Sequence, residues 1–445
     1  MKFCWIFWLL LSLNCFAQSS GFQLVDKKKV SIPFQQINGL IFLQIEVNGV
    51  DLTFLLDSGV AETILFSLEN KAVDFKNTEK ARFTGLGGES YVEGLKSTNN
   101  QMKIGKNLVD HNHLLYLILD EDFNFSSHVG IPVNGIIGYQ FFENYPVKID
   151  YQSQEITLYQ DEKKLKTRNF EQTPMSIEGS KPYIMTSVEM TNQYIPAKML
   201  VDLGNSDAMW LFPTRIPNFN YNRPNIDDFL GRGFNGDILG KRSRIHALKL
   251  GDNVLEKPIV SMPSAESVQS MTFVKDRIGS VGSGILKRFV VIFDYKNGLF
   301  YFKKNKSIHD PFKFNMSGLD VKHDGVIWQK DLVKVEIPLA KEKEKIESMG
   351  TTVKIHEDFQ YKFVLKPIYS ISGVREDSPG FLADIKSGDK LISINGKKTT
   401  EMSLQDINNI FMSEEEKIID LVLTRKSLTI ERKIQLKDPI PYQEN

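Results

Sequence analysis

Cysteine is nearly missing from this chain. Its 445 residues hold Cys4 and Cys15 alone, both within the first 17. A chain cut after Ala17 has no thiol, which excludes disulfides, thiolate zinc sites and a cysteine nucleophile together. Its stability must come from hydrophobic cores, and its length suffices for two or three domains. Excess charge is missing too. Lys+Arg and Asp+Glu both number 55, so no net field draws in nucleic acid or anionic lipid. Beyond the first residues, no apolar run approaches the roughly 20 residues a bilayer demands. The beginning differs: Lys2 precedes an apolar run from Phe3 to Leu13, and Cys15-Phe16-Ala17 offers small residues at cleavage positions. Residues 1–17 therefore read as an export leader. An uncleaved anchor and a lipid-bearing Cys15 are its other readings. No metal site or cofactor is legible. His111 and His113 stand two apart and read as surface residues, and no Gly-x-Ser-x-Gly elbow supports a serine hydrolase.

What is present is mostly strand. Residues 40–47, Leu-Ile-Phe-Leu-Gln-Ile-Glu-Val, close on Asn48-Gly49, a hairpin signal. Residues 51–56 then deliver the chain to Asp57-Ser58-Gly59. Further on, residues 183–190 and 195–201 form a similar pair that delivers it to Asp202-Leu203-Gly204. The two passages repeat at an offset of 145. Gly138 and Gly282, which end Gly-Ile-Ile-Gly and Gly-Ser-Val-Gly, lie 144 apart, as do Asp150 and Asp294. Gly85-Leu86-Gly87-Gly88 and Gly231-Arg232-Gly233 lie between these blocks. The period is too long for a solenoid and implies two tandem all-β lobes, at 25–165 and 166–306.

One Asp-Ser-Gly is an ordinary turn. Two acids that each end an apolar strand, at the same place in a duplicated lobe, are different. Such a group is costly to bury unless it is paired or has work to do. Two carboxylates a few Å apart share one proton. The ionised one can take a proton from water, and the protonated one can hydrogen-bond a carbonyl oxygen as charge develops. Gly59 and Gly204 allow the two loops to approach closely.

In these residues the chain resembles the aspartic peptidases of the retropepsin-like and pepsin-like superfamily, and most of all an exported bacterial group that adds a PDZ domain. Asp57-Ser58-Gly59 matches the family's Asp-Thr/Ser-Gly motif, and Asp202-Leu203-Gly204 takes the second position. The resemblance covers roughly residues 30–305. It implies catalytic Asp57 and Asp202, active-site loops containing Ser58, Gly59, Leu203 and Gly204, and a substrate-covering flap at Gly85, Leu86, Gly87 and Gly88. Ile136-Ile137-Gly138 matches the element that braces the catalytic loop, and Ser280-Val281-Gly282 is a weaker copy. Leu203 departs from the family, which has a hydroxyl residue there to lock the two loops together. Asn205 replaces a small residue.

A third region, 312–438, carries another signature. Asp377-Ser378-Pro379-Gly380 and Gly388-Asp389-Lys390-Leu391-Ile392-Ser393-Ile394-Asn395-Gly396 resemble bacterial PDZ domains. Residues 403–411 read as a helix capped by Ser403, with Leu404, Ile407, Ile410 and Phe411 on one face. The resemblance implies a groove that adds an extended peptide to a sheet edge, with Ser317, Gly318 and Leu319 as candidates for its peptide-binding loop. A PDZ fold that only packs on the lobes is the other reading. Residues 339–348 are densely charged and read as a solvated insertion.

The expected fold is mostly β: two aspartic-peptidase lobes of barrel-like form, then a PDZ-like domain. The expected function is an aspartic endopeptidase acting on polypeptides in the periplasm or outside the cell, without metal, cofactor or nucleic acid. The rival is a catalytically inactive exported peptide-binding protein, favoured by Leu203.

Overall fold

The computed structural model describes residues 21–69, 71–83, 92–118, 125–190, 193–217, 219, 221–233, 236–269, 271–334 and 359–442. The leader, the glycines at 85–88 and the charged stretch at 339–348 lie outside them.

In the first lobe, strand β1 (Leu40–Val47) and strand β2 (Val50–Leu56) form a hairpin. Its turn needs two left-handed residues, and Asn48 and Gly49 supply them at φ +47° and +88°. Leu52 to Leu56 are buried on both faces. The strand therefore sits in the middle of its sheet and ends inside the molecule. Helix α1 (Phe125–Val129) leads toward strand β3 (Gly135–Ile137), which runs parallel to β2 with Ile137 opposite Leu56. The strands Thr78–Phe83 and Val92–Ile104 pair antiparallel on either side of residues 84–91.

The second lobe repeats the plan. Strand β4 (Lys181–Glu189) pairs antiparallel with strand β5 (Tyr194–Val201). Strand β6 (Arg277–Val281) runs parallel to β5, with Val281 opposite Val201. Here too a hairpin, Ile226–Gly233 with Gly236–Arg244, projects from the lobe, and Gly231 and Gly233 lie near its tip. The lobes are joined by copies of one sequence element. Val147–Asp150 pairs antiparallel with Phe289–Asp294, Val147 opposite Phe293 and Asp150 opposite Val290. A strand paired with its own duplicate places an approximate twofold axis between the lobes. One hydrophobic cluster spans them, and the rings of Phe142 and Phe293 lie 5.2 Å apart.

The third unit has its own core, which includes Leu319, Val321, Ile371, Ile407 and Phe411. Strands β7 (Leu319–Lys334) and β8 (Phe359–Val374) form a long antiparallel pair, with β7 at one edge of the sheet. Helix α2 (Leu404–Phe411) starts in a capping box. The Ser403 hydroxyl accepts from the Asp406 N–H, and the Asp406 carboxylate accepts from the Ser403 N–H. This unit leans on the first lobe: α1 packs against β7, and the Asn38 N–H donates to Gln405 Oε1 at 2.7 Å.

One expectation is corrected. His113 is 1 % exposed, so it is not a surface residue. Its ring is held between Asp110 (Nδ1 to Oδ2, 2.8 Å) and Thr63 (Nε2 to Oγ1, 2.7 Å). Both ring nitrogens thus have buried partners, which removes the cost of taking the imidazole inside.

Candidate active site

Each repeat ends its central strand in a loop held by the parallel strand beside it. The Asp57 N–H donates to the Ile137 carbonyl and the Asp202 N–H to the Val281 carbonyl, both at 2.9 Å. The glycine after each bracing strand is sterically required. A Cβ on Gly138 would lie 2.0 Å from the Val60 carbonyl oxygen, and one on Gly282 would lie 2.3 Å from that of Asp207. No other residue fits such a gap.

The two loops meet at the twofold axis. The Asp57 and Asp202 carboxyl groups come together there. A Cβ on Gly59 would lie 2.9 Å from Asp202 Oδ1 and 3.1 Å from Asp57 Oδ1, and one on Gly204 would lie 2.2 Å from Asp57 Oδ2. Each acid thus lies over the glycine of the other loop. The Gly59 N–H donates to Asp57 Oδ1 at 2.7 Å.

The pair is half-buried, and loss of solvent is the largest influence on both acids. Burial, then the charge of Asp202, pushes the Asp57 carboxyl up to about 8. Burial raises Asp202 as well, but the cations of Arg277 and Lys181 and the Gly204 N–H oppose the rise.

The hydroxyl lock between the loops is one-sided. Ser58, wholly buried, donates Oγ–H to the Val201 carbonyl at 2.6 Å and accepts from the Leu203 N–H at 3.0 Å. Leu203 cannot reciprocate, and its side chain is buried in the core that spans both lobes. Asn205 has its own use: its Oδ1 accepts from the Asp207 N–H at 2.9 Å, tightening the second loop locally.

In the third unit, Ser317, Gly318 and Leu319 form the loop that opens edge strand β7. Their N–H groups are already engaged. Asn315 Oδ1 accepts from Ser317 at 3.0 Å and from Gly318 at 3.2 Å, and Ser317 Oγ accepts from Leu319 at 3.1 Å. Asn315 Nδ2 also donates to the Leu319 carbonyl at 2.8 Å. An Asn two residues before Ser317 is a legible Asx-turn signal, but the sequence reading did not include it. Arg277, Lys181 and Tyr183 were missed as well, because nothing in their local sequence ties them to Asp202.

Comparison with known proteins agrees with these features. Residues 43–141 match the family model for aspartyl proteases, and residues 370–425 match that for PDZ domains. Over 107 residues the chain is 30% identical to the retrovirus-related Pol polyprotein from transposon 412 of Drosophila melanogaster. That match covers 24% of this chain and spans 8% of the polyprotein's length. Among solved structures, the aspartic proteinase from Irpex lacteus aligns over 63% of this chain and 99% of its own, at 12% identity and a TM-score of 0.41. Basic 7S globulin from soybean aligns over 65% and 98%, at 9% identity and a TM-score of 0.38. Sequence motif, family match and fold together give a chain that carries a retropepsin-like aspartyl protease domain and, C-terminal to it, a PDZ domain.

Proposed function

We propose that the chain is an aspartic endopeptidase whose catalytic pair is Asp57 and Asp202. The observation that carries this reading is the meeting of two half-buried carboxyl groups, each presented by the equivalent loop of a duplicated lobe. A peptide carbonyl and a water meet between them. Asp202 takes the water's proton as its oxygen attacks the carbonyl carbon. Asp57 donates a hydrogen bond to the carbonyl oxygen as negative charge develops there. The substrate class is polypeptide, and neither metal nor cofactor takes part in this scheme. Either Asp→Asn change should abolish cleavage of peptides by the purified protein while leaving the melting transition in place. Full activity in Asp202→Asn would end the reading.

The pair also has a stability signature. An Asp57 carboxyl that ionises near 3.8 when unfolded and near 8 in the fold makes folding take up a proton between those values. Its contribution is complete below the unfolded value and is lost as pH rises toward 8. Asp57→Asn, which cannot ionise, should flatten the fall in melting temperature across that window.

A second reading, a peptide-binding protein without catalysis, is favoured by the missing hydroxyl at Leu203. Export rests on the leader, with a location in the periplasm or outside the cell. N-terminal sequencing of the exported protein should begin at Gln18, and an intact Met1 or a lipid on Cys15 would overturn that.

A further inference from the structure

The two lobes hold their aspartate loops by different means. Matching bonds put the lobes in register: the Phe66 N–H donates to the Asn134 carbonyl and the Phe212 N–H to that of Ile278, so Val133 matches Arg277. Phe42 matches Tyr183 in the same way, as the partners of Leu55 and Leu200. The fifth residue after Asp57 is Glu62, which is exposed. Thr63 beside it anchors that loop, through His113 and Asp110 of its own lobe. The fifth residue after Asp202 is Asp207, and its carboxylate is held at both oxygens. Arg242 Nη1 donates to Oδ1 at 2.6 Å. Ser261 Oγ and Trp210 Nε1 donate to Oδ2 at 2.8 and 2.7 Å. The Asp207 carbonyl accepts from the Gly284 N–H at 3.0 Å, just past the bracing glycine.

Arg242 does not end at Asp207. It is buried, and its Nε donates to Asp228 Oδ2 at 2.6 Å, across the hairpin of the second lobe. A guanidinium that bridges two carboxylates is fixed in orientation. The ring of Phe314, in the segment leading into the PDZ unit, lies 5.6 Å from it. Arg375 of the PDZ unit meets the same ring at 5.2 Å. Arg375 also donates Nη2 to the Asn315 carbonyl at 3.0 Å and its N–H to the Gly318 carbonyl at 2.8 Å. Arg244 stands two residues after Arg242 on the strand Gly236–Arg244, hence on the same face. Its Nε donates to the Ile440 carbonyl and its Nη1 to that of Phe312, both at 3.0 Å, and its Nη2 pairs with Asp438 at 3.3 Å. One strand of the second lobe thus seats the chain both entering and leaving the PDZ unit. One arginine of that strand runs from the seat to the loop of Asp202.

We infer that Arg242 is a positioning residue for Asp202, and that the seated PDZ unit, through Phe314 and Arg375, braces the loop that carries it. This rests on the peptidase reading for its effect on cleavage, and on printed contacts of side chains alone for its effect on Asp207. The PDZ unit is then a third member of the active-site scaffold.

The test loosens the seat without touching Asp207. A contact between a guanidinium and a partly exposed ring is worth about a two- to fivefold change in an equilibrium. In Phe314→Ala, kcat for peptide cleavage should therefore fall about two- to fivefold with KM unchanged. Arg375→Gln alters the PDZ side alone and should act in the same direction, so it serves where Phe314→Ala folds poorly. Phe314→Tyr keeps the ring and should keep the wild-type values. A second readout needs no substrate. The Trp210 indole N–H is bonded to Asp207, and its NMR signal can be assigned with Trp210→Phe. In Phe314→Ala and Arg375→Gln that signal should shift, and the proton should exchange with solvent about two- to fivefold faster. Folded variants that melt lower but leave the Trp210 signal in place would overturn the inference, since the seat would then serve stability alone. A shifted signal with kcat unchanged in an active protein would overturn it too. A shifted signal in a protein whose wild type cleaves no peptide would overturn the peptidase reading and leave the brace standing.

Discussion

The one-sided hydroxyl lock makes a quantitative prediction. Ser58→Ala removes one oxygen and leaves two wholly enclosed backbone groups without their partner, the Val201 carbonyl and the Leu203 N–H. An unsatisfied buried donor or acceptor costs about 1–3 kcal/mol. Two of them, in a site with no second hydroxyl to compensate, should cost about 3 kcal/mol. For a unit the size of the two lobes, each kcal/mol moves the melting point by about 2–4 °C, so Ser58→Ala should melt lower by about 6–12 °C. Urea unfolding should show a shifted midpoint with an unchanged slope. Peptidase activity should fall further than stability explains, because the bonds that end at Ser58 set the spacing of the two aspartates. Ser58→Thr retains the hydroxyl and is the control. A Ser58→Ala protein that melts within 1–2 °C of the wild type would refute the reasoning, since it would mean the loops are held by other contacts.

Two further predictions follow from the same loops and from the third unit. Leu203→Thr offers the missing reciprocal hydroxyl, and kcat for peptide cleavage should be retained or raised; a fall of tenfold or more with the fold intact would show that Leu203 has become part of the working site. Asn315→Ala frees the N–H groups of Ser317 and Gly318, so a peptide with a free C-terminal carboxylate should bind the variant at least about fivefold more tightly, roughly the net value of one hydrogen bond. Fluorescence anisotropy with the carboxylate peptide and its C-terminal amide measures this, and equal affinity for both proteins would show that the loop does not serve as a carboxylate cradle.

Much of the architecture was legible because duplication and turn chemistry are written in local sequence. Asn48-Gly49 has to turn, Ser403 has to cap, and an apolar strand ending in Asp-x-Gly has few other meanings once it occurs twice. What was not legible depends on distance in sequence. His113 looked like a surface residue because Thr63, fifty positions earlier, is invisible to periodicity. Arg277 was not singled out in the sequence, yet the fold carries it inside against Tyr183. The flap glycines at 85–88 were read from resemblance, and the described residues bring the strands on either side of them together as a hairpin. Strands β7 and β8 escaped notice because their outer halves bury no face. Trp328, Phe363 and Leu365 are all more than half exposed, so no alternation separates an inside from an outside.

The departures from symmetry have a common logic. In a pair of identical lobes every side chain appears twice, so any hydroxyl or cation near the axis flanks both aspartates equally. Under the proposed mechanism the pair has two different jobs to fill, and symmetry can assign neither. Two lobes within one chain are free of that constraint. Ser58 without a counterpart at Leu203, and Arg277 without a counterpart at Val133, are substitutions only a fused duplication can hold. Both fall on the contacts of Asp202's own loop: Ser58 Oγ accepts from the residue after Asp202, and Arg277 is bonded to the strand that braces it. The first lobe keeps its apolar pair, Phe42 and Val133. The second lobe exchanges that pair for a cation and a phenol, Arg277 and Tyr183, both buried.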